Sequence, residues 1–237
     1  MGEVHAHPPD LPAALIALAG ITLGDSSLDG VMQRTCEITK TAIADADEVS
    51  VTLLAADGAR TVASSGPLAV RMDQTQYAAG AGPCLEAAQR GEPVLVADAP
   101  GDTTWPGYAD AADALGVRAS LSVPLRGEEG LAAALNIYAS NADQFDADTV
   151  NEATELARFA SIVLTNADQY FRAKTLATQM ERAMHTRAVI EQAKGIVMAQ
   201  QRCTPDEAFD MLVRLSQSTH RKLREVAISI VEQIVEG

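Results

Sequence analysis

The longest helical run in this sequence of 237 residues opens at Phe145 and Asp146, and it constrains the architecture more than any other stretch. Val150, Ala153, Ala157, Ala160, Leu164, Ala167 and Phe171 recur alternately three and four residues apart. That is a heptad seam, small enough at most positions for close helix approach. Lys174 and Thr178 interrupt it, and it resumes shifted as Ala173, Leu176, Met180 and Ala183. The break predicts a bend, a slip or a change of partner near Tyr170 to Lys174. A continuous helix from Asp146 to Met184 would be roughly 60 Å long, more stripe than one domain is expected to cover. The seam therefore predicts a parallel homodimer through a coiled-coil linker helix, 146–184.

Three short helices are expected after it. Val189, Ala193 and Ile196, with Ile190 and Val197 beside them, give the first one apolar stripe. Thr204, Pro205, Asp206 and Glu207 spell a capping box with proline at the first helical position, and Ala208, Met211, Leu212 and Leu215 supply the next apolar face. Ser216 to Thr219 reads as a polar break. Leu223, Val226, Ala227, Ile230 and Ile234 then mark the inner face of a third helix. Helices of this size bury only a small common core, which fits a compact bundle attached to something larger.

Residue identities carry the reading further. Arg187, Ile190, Gln192, Ala193, Lys194, Gly195 and Met198, then Thr204, Glu207, Ala208 and Leu212, then Lys222, Leu223, Val226 and Ala227 resemble the ANTAR family across all three helices. The resemblance implies an RNA-binding transcription antiterminator that recognises paired hairpins in nascent transcripts. Arg187 and Lys194, seven apart, share a helix face with Gln192 and Gly195 close by, and Arg221, Lys222 and Arg224 are expected to open the third helix. The expected RNA contacts are thus Arg187, Gln192, Ala193, Lys194, Gly195, Arg221, Lys222 and Arg224, against the alternative of solvated surface cations balanced by Glu191 and Glu225. No aromatic platform is nearby, so shape and backbone reading are expected rather than stacking.

A net charge of −14 ordinarily argues against nucleic acid, because phosphate contacts need cations. Its distribution matters more. Residues 172–237 hold ten Lys or Arg against eight Asp or Glu, a balance of +2, and the acid lies upstream, where eight stand against twenty-four. With so weak a cationic field, binding must lean on a local cluster and on two copies acting together.

Upstream, residues 1–12 read as a loose arm, with His5 and His7 lacking a third metal ligand. Leu11 to Leu23 is too short to span a bilayer and has no preceding Lys or Arg, so it is expected to pack as a helix in a cytoplasmic, membrane-free protein. Ser27 caps a helix bearing Leu28, Val31, Met32, Thr35, Ile38 and Ala42. Strands follow at Val49–Ala55 and Thr61–Ser64 around Asp57 and Gly58, at Val94–Asp98, and at Ala119–Leu125 and Leu131–Tyr138 around a Gly127–Gly130 turn, with helical stretches at Leu68–Ala79 and Trp105–Leu115. The class is α+β: an antiparallel sheet flanked by helices, then a long coiled-coil helix and an all-α three-helix bundle. Gly82, Pro83, Cys84, Glu86, Ala87, Pro93, Val94 and Asp98, then Trp105, Pro106, Gly116 to Ala119 and Val123 to Leu125, resemble the GAF domains that precede ANTAR in actinobacterial regulators. The expected domains are a GAF sensor over 13–145, the linker helix over 146–184 and the ANTAR bundle over 185–237.

A GAF resemblance implies a small-molecule or redox signal and names no cofactor. Cys84, Trp105, Tyr108 and Tyr138 are the ligand-pocket candidates, with core packing as the alternative. Cys84 would sit at a helix start, where amides lower a thiol's pKa, unless it is simply a small half-buried residue. The bilin pattern would put His after Cys84, where Leu85 stands. No histidine between His7 and His185 could ligate a haem, and Ile137 replaces the Lys that follows Asn in cyclic-nucleotide GAF domains. Cys36, Cys84 and Cys203 are too dispersed for a metal or disulfide framework. Without a Ser, His and Asp set or a Gly-Lys-Ser loop, the chain is expected not to be an enzyme. The rivals are a GAF-based free methionine sulfoxide reductase and a DNA-binding helix-turn-helix regulator.

Overall fold

The computed structural model describes residues 11–24, 27–126 and 132–235. The arm with His5 and His7 and the Gly127–Gly130 turn lie outside the described residues. The chain divides into two compact units, 1–171 and 172–237.

The first unit runs α1 (Leu11–Ala19), α2 (Leu28–Ala42), β1 (Glu48–Ala55), β2 (Gly58–Ser64), α3 (Pro67–Ala79), α4 (Pro83–Arg90), β3 (Val94–Val96), α5 (Pro106–Leu115), β4 (Ala119–Arg126) and β5 (Ala132–Ala139), then enters α6 (Ala147–Gln201). Its sheet is antiparallel throughout, in the order β2-β1-β5-β4-β3. The Ser27 cap expected for α2 is present, its hydroxyl accepting from Gly30 N at 3.1 Å. Prolines open α3, α4 and α5, where a missing N–H costs nothing. β3 is shorter than expected, ending at Val96, and Trp105 caps α5 rather than lying in it.

The central strands alternate strictly. Val49 and Val51, Leu121 and Val123, and Leu135 and Ile137 enter one aliphatic core with Leu18, Val31, Cys36 and Ile38 from α1 and α2. The same core contains Ala153, Leu156, Ala157, Ala160, Leu164 and Ala167 of α6, with Val150 and Phe171 packed against it. This corrects the dimer seam. The stripe from Val150 to Phe171 is covered by its own domain, because alanines that admit a second helix equally admit a sheet surface. Past Phe171 the stripe changes character: Leu176, Met180 and Met184 are 58%, 57% and 71% exposed.

In the second unit the first helix is not separate. Apart from Gly195, no proline or glycine lies between Ala147 and Gln201, so α6 continues into the bundle and ends at Arg202, which adopts a left-handed φ of 51°. The capping box holds: Thr204 N donates to Glu207 Oε2 at 2.8 Å and starts α7 (Pro205–Thr219). Ser216 to Thr219 is helical rather than a break. The Ser218 and Thr219 hydroxyls donate to the Leu215 carbonyl, and His220, with a φ of 54°, ends the helix. α8 (Leu223–Val235) completes a core of Ala193, Leu212, Val226 and Ala227, with Val189, Ile190, Val197, Leu223, Ile230 and Val231 packed around it.

Candidate functional site

The sheet's other face is buried and polar. Ser50 of β1, Asn136 of β5 and Ser122 of β4 stand directly across from one another, with Ser120 opposite Tyr138 in the next register position. Thr52 lies two residues along from Ser50 on the same face. All are at most 1% exposed, beneath Asp73 and Gln76 of α3, Cys84 of α4 and Tyr108 of α5. An aliphatic row here would stabilise the fold more simply, so polarity at these positions points to a role beyond packing.

Asp73 is the centre. Its Oδ1 accepts from Tyr138 Oη at 2.6 Å and Asn136 Nδ2 at 3.1 Å, and its Oδ2 from Thr61 Oγ1 at 2.7 Å. Tyr77 Oη bridges Thr52 and Thr61 at 2.8 and 3.0 Å. Gln76 donates to Tyr138 Oη and accepts from Cys84 N at 2.8 Å, which ties the α4 start to α3. Gly82 makes that tie possible, since a Cβ there would overlap the Gln76 side chain. Tyr108 donates to Ser120 at 2.5 Å. The structure thus gathers three of the four pocket candidates, Cys84, Tyr108 and Tyr138, around one carboxyl, and leaves Trp105 half-buried beside α5.

Burial sets the titration. It drives the Asp73 carboxyl above its usual range, against the pull of the Tyr138, Thr61, Ser50 and Asn136 hydrogen bonds. Of the two readings of Cys84, the packed residue holds, though it is wholly rather than half buried: burial, reinforced by Asp73, pushes the thiol up and outweighs the amides at the helix start. Cys36 rises to about 12 for the same first reason. Because folded Asp73 keeps its proton to higher pH than the unfolded chain, its stabilising contribution is full below the unfolded value and is lost as pH rises through the folded one. Urea unfolding of the first unit, followed between about pH 4 and 8, should therefore show stability from this group falling with pH, and Asp73→Asn should flatten that slope. An unaltered slope in the variant would contradict the assignment.

In the second unit the expected RNA contacts separate into groups. Arg187 and Gln192 are exposed. Ala193 is wholly buried against Leu212, Val226 and Ala227, which corrects it from a contact to a core residue. Lys194 is 20% exposed and paired with Glu191. Arg221 donates to Ser229 Oγ at 2.8 Å and to the Glu225 carbonyl, so it lies along α8. Lys222 is exposed and its carbonyl receives the first α8 amides, while Arg224 is half-buried. Gly195 has open space where a Cβ would be. A groove of about 540 Å³ is lined by Arg182, Ala183, Arg187 and Ile190 of α6 and Phe209 of α7.

A GAF domain model matches residues 25–165, and an ANTAR domain model matches residues 178–231. The chain belongs to the GAF–ANTAR family. No curated protein matches this GAF–ANTAR chain. Among solved structures, the reduced form of fRMsr of Staphylococcus aureus is 16% identical, with 67% of this chain and 97% of that one covered at a TM-score of 0.52. The free methionine-R-sulfoxide reductase from Neisseria meningitidis in complex with its substrate is 20% identical, with 68% and 89% covered at 0.52. The GAF domain of a phosphoenolpyruvate-protein phosphotransferase from Coxiella burnetii is 19% identical, with 70% and 96% covered at 0.51. At such identities the likeness is one of fold.

A GAF sensor followed by an ANTAR domain is the organisation of a signal-regulated RNA-binding regulator. No described helix of the GAF–ANTAR chain is long and apolar enough to cross a membrane. Sequence reasoning missed Asp73, Gln76, Thr52, Thr61 and Asn136 in the sensor, and Arg182 and Phe209 at the groove. The signal for the first group was present: serine, threonine and asparagine alternate with aliphatics on three strands whose other face is pure core.

Proposed function

We propose that the chain is a homodimeric antitermination regulator whose GAF domain reads a small molecule and whose ANTAR domains grip paired hairpins in nascent RNA. The ANTAR match together with exposed Arg182, Arg187 and Lys222 on one small unit carries this reading. Gly195 supports it. A mid-helix glycine costs about 1 kcal/mol relative to alanine, and no packing within the unit requires its bare surface. A backbone approaching from outside does. Arg182 and Arg187 flank the apolar floor of the groove and are the principal phosphate contacts, and Lys194 contributes by releasing Glu191. The dimer forms through Leu176, Met180 and Met184, the stretch of α6 that the GAF core leaves uncovered.

In filter binding of the full chain to a leader RNA carrying two hairpins, Arg187→Ala should weaken affinity about tenfold and shallow the dependence on salt. Its circular dichroism should match the wild type. Unchanged affinity would refute the assignment of Arg187, and loss of helicity would reassign it to folding.

A further inference from the structure

We propose that the buried polar cluster of the GAF domain takes a small molecule by a primary ammonium or amidinium group, held between the Asp73 carboxylate and the Asn136 carbonyl oxygen. The inference rests on the reading of this domain as the sensor and names the chemical class it senses. Two independent features lead to it.

The first is a missing charge. Asp73 is wholly buried, and its donors Tyr138, Asn136 and Thr61 are all neutral. Among the described residues no lysine, arginine or histidine is one of its hydrogen-bond partners or one of the strongest influences on it. Burial keeps the proton on Asp73, and its ionised form would need a counter-charge that the cluster does not hold, so a cationic guest would displace the proton and take its place. The second is a missing donor. Asn136 Oδ1 is the one buried side-chain polar atom among the described residues without a hydrogen bond. On the other side of the same amide, Nδ2 has two protons to give and three acceptors within reach, Ser50, Thr52 and Asp73. The cluster is rich in acceptors and short of N–H groups.

A guest that supplies several N–H donors and one positive charge answers both shortages. An anionic guest does the reverse, placing its charge against Asp73, so carboxylates and phosphate esters are excluded by the same residues. The hydroxyls of Thr52, Thr61 and Tyr138 can rotate to accept or donate, which lets the surrounding network adjust to the guest.

The test uses the full-length chain in a thermal-shift titration with methylammonium, guanidinium and acetamidinium chlorides. Acetamide, methanol and sodium acetate serve as counter-probes at matched ionic strength. At about 20 mM probe, one or more of the cations should raise the GAF transition by about 2–4 °C, while the neutral and anionic probes should not. Asp73→Asn should remove the response to the cations. No shift with any cation, an equal shift with acetamide, or an undiminished response in Asp73→Asn would overturn the proposal. Should Asp73→Asn fail to fold, the contrast between acetamidinium and acetamide on the wild-type chain still decides it. RNA binding of the same preparation, measured alongside, separates failure of this inference from failure of the regulator reading.

Discussion

Leu176→Glu and Met180→Glu introduced together should turn the full chain from a dimer into a monomer in solution scattering and weaken its hold on a two-hairpin RNA about a hundredfold or more. Leu176, Met180 and Met184 lie four residues apart on α6 with exposures of 58%, 57% and 71%. Three large apolar side chains so placed form a stripe that water alone would not favour. Covering each is worth about 1.5–3 kcal/mol, and a two-fold pair covers six. Glutamates at two of the positions replace that gain with like charges facing each other across the axis. The effect on RNA follows from geometry rather than contact. Neither residue is an expected RNA ligand, but two linked bundles on two linked hairpins gain effective concentration that a monomer lacks. Since both positions are exposed, helicity should persist. A variant that remains dimeric would place the subunit contact elsewhere.

Ala193→Asp should abolish RNA binding by a different route. Ala193 is wholly buried where α6 meets Leu212 of α7 and Val226 and Ala227 of α8. A carboxylate there has no cation within the core and costs several kcal/mol, comparable to the whole stability expected of so small a bundle. Hydrogen exchange should show α7 and α8 losing protection, while the β1, β4 and β5 amides keep theirs. Protection retained throughout, with RNA binding intact, would show that Ala193 is not where the bundle closes.

The two substitutions also mark what periodicity can and cannot tell. The stripe from Val150 to Phe171 was legible as a buried surface, but its partner was not. A row of alanines fits a neighbouring helix or an aliphatic sheet equally well, and only the fold decides which arrives. Ala193 sits within a motif shared with RNA-binding domains, yet its side chain packs while that of Gln192 beside it is exposed. Caps were read most reliably, because Ser27 and the Thr204–Glu207 box act through their immediate neighbours. The polar cluster around Asp73 was least legible. Its members come from seven elements, and serine or threonine in a strand passes for ordinary β-propensity until the cross-strand register places Ser50, Asn136 and Ser122 in one row. Cys84 shows the same limit: helix-start amides favour its thiolate, and burial beneath Asp73 outweighs them.

The central claim, that paired ANTAR domains recognise paired hairpins, is tested most directly by one titration. The full-length chain is titrated against a leader RNA with two hairpins, the same RNA lacking one hairpin, and duplex DNA of matched length. Tight binding to the pair, at least about tenfold weaker binding to the single hairpin and no competition from DNA are the predicted results. Equal affinity for all three, or none for either RNA, would contradict the account.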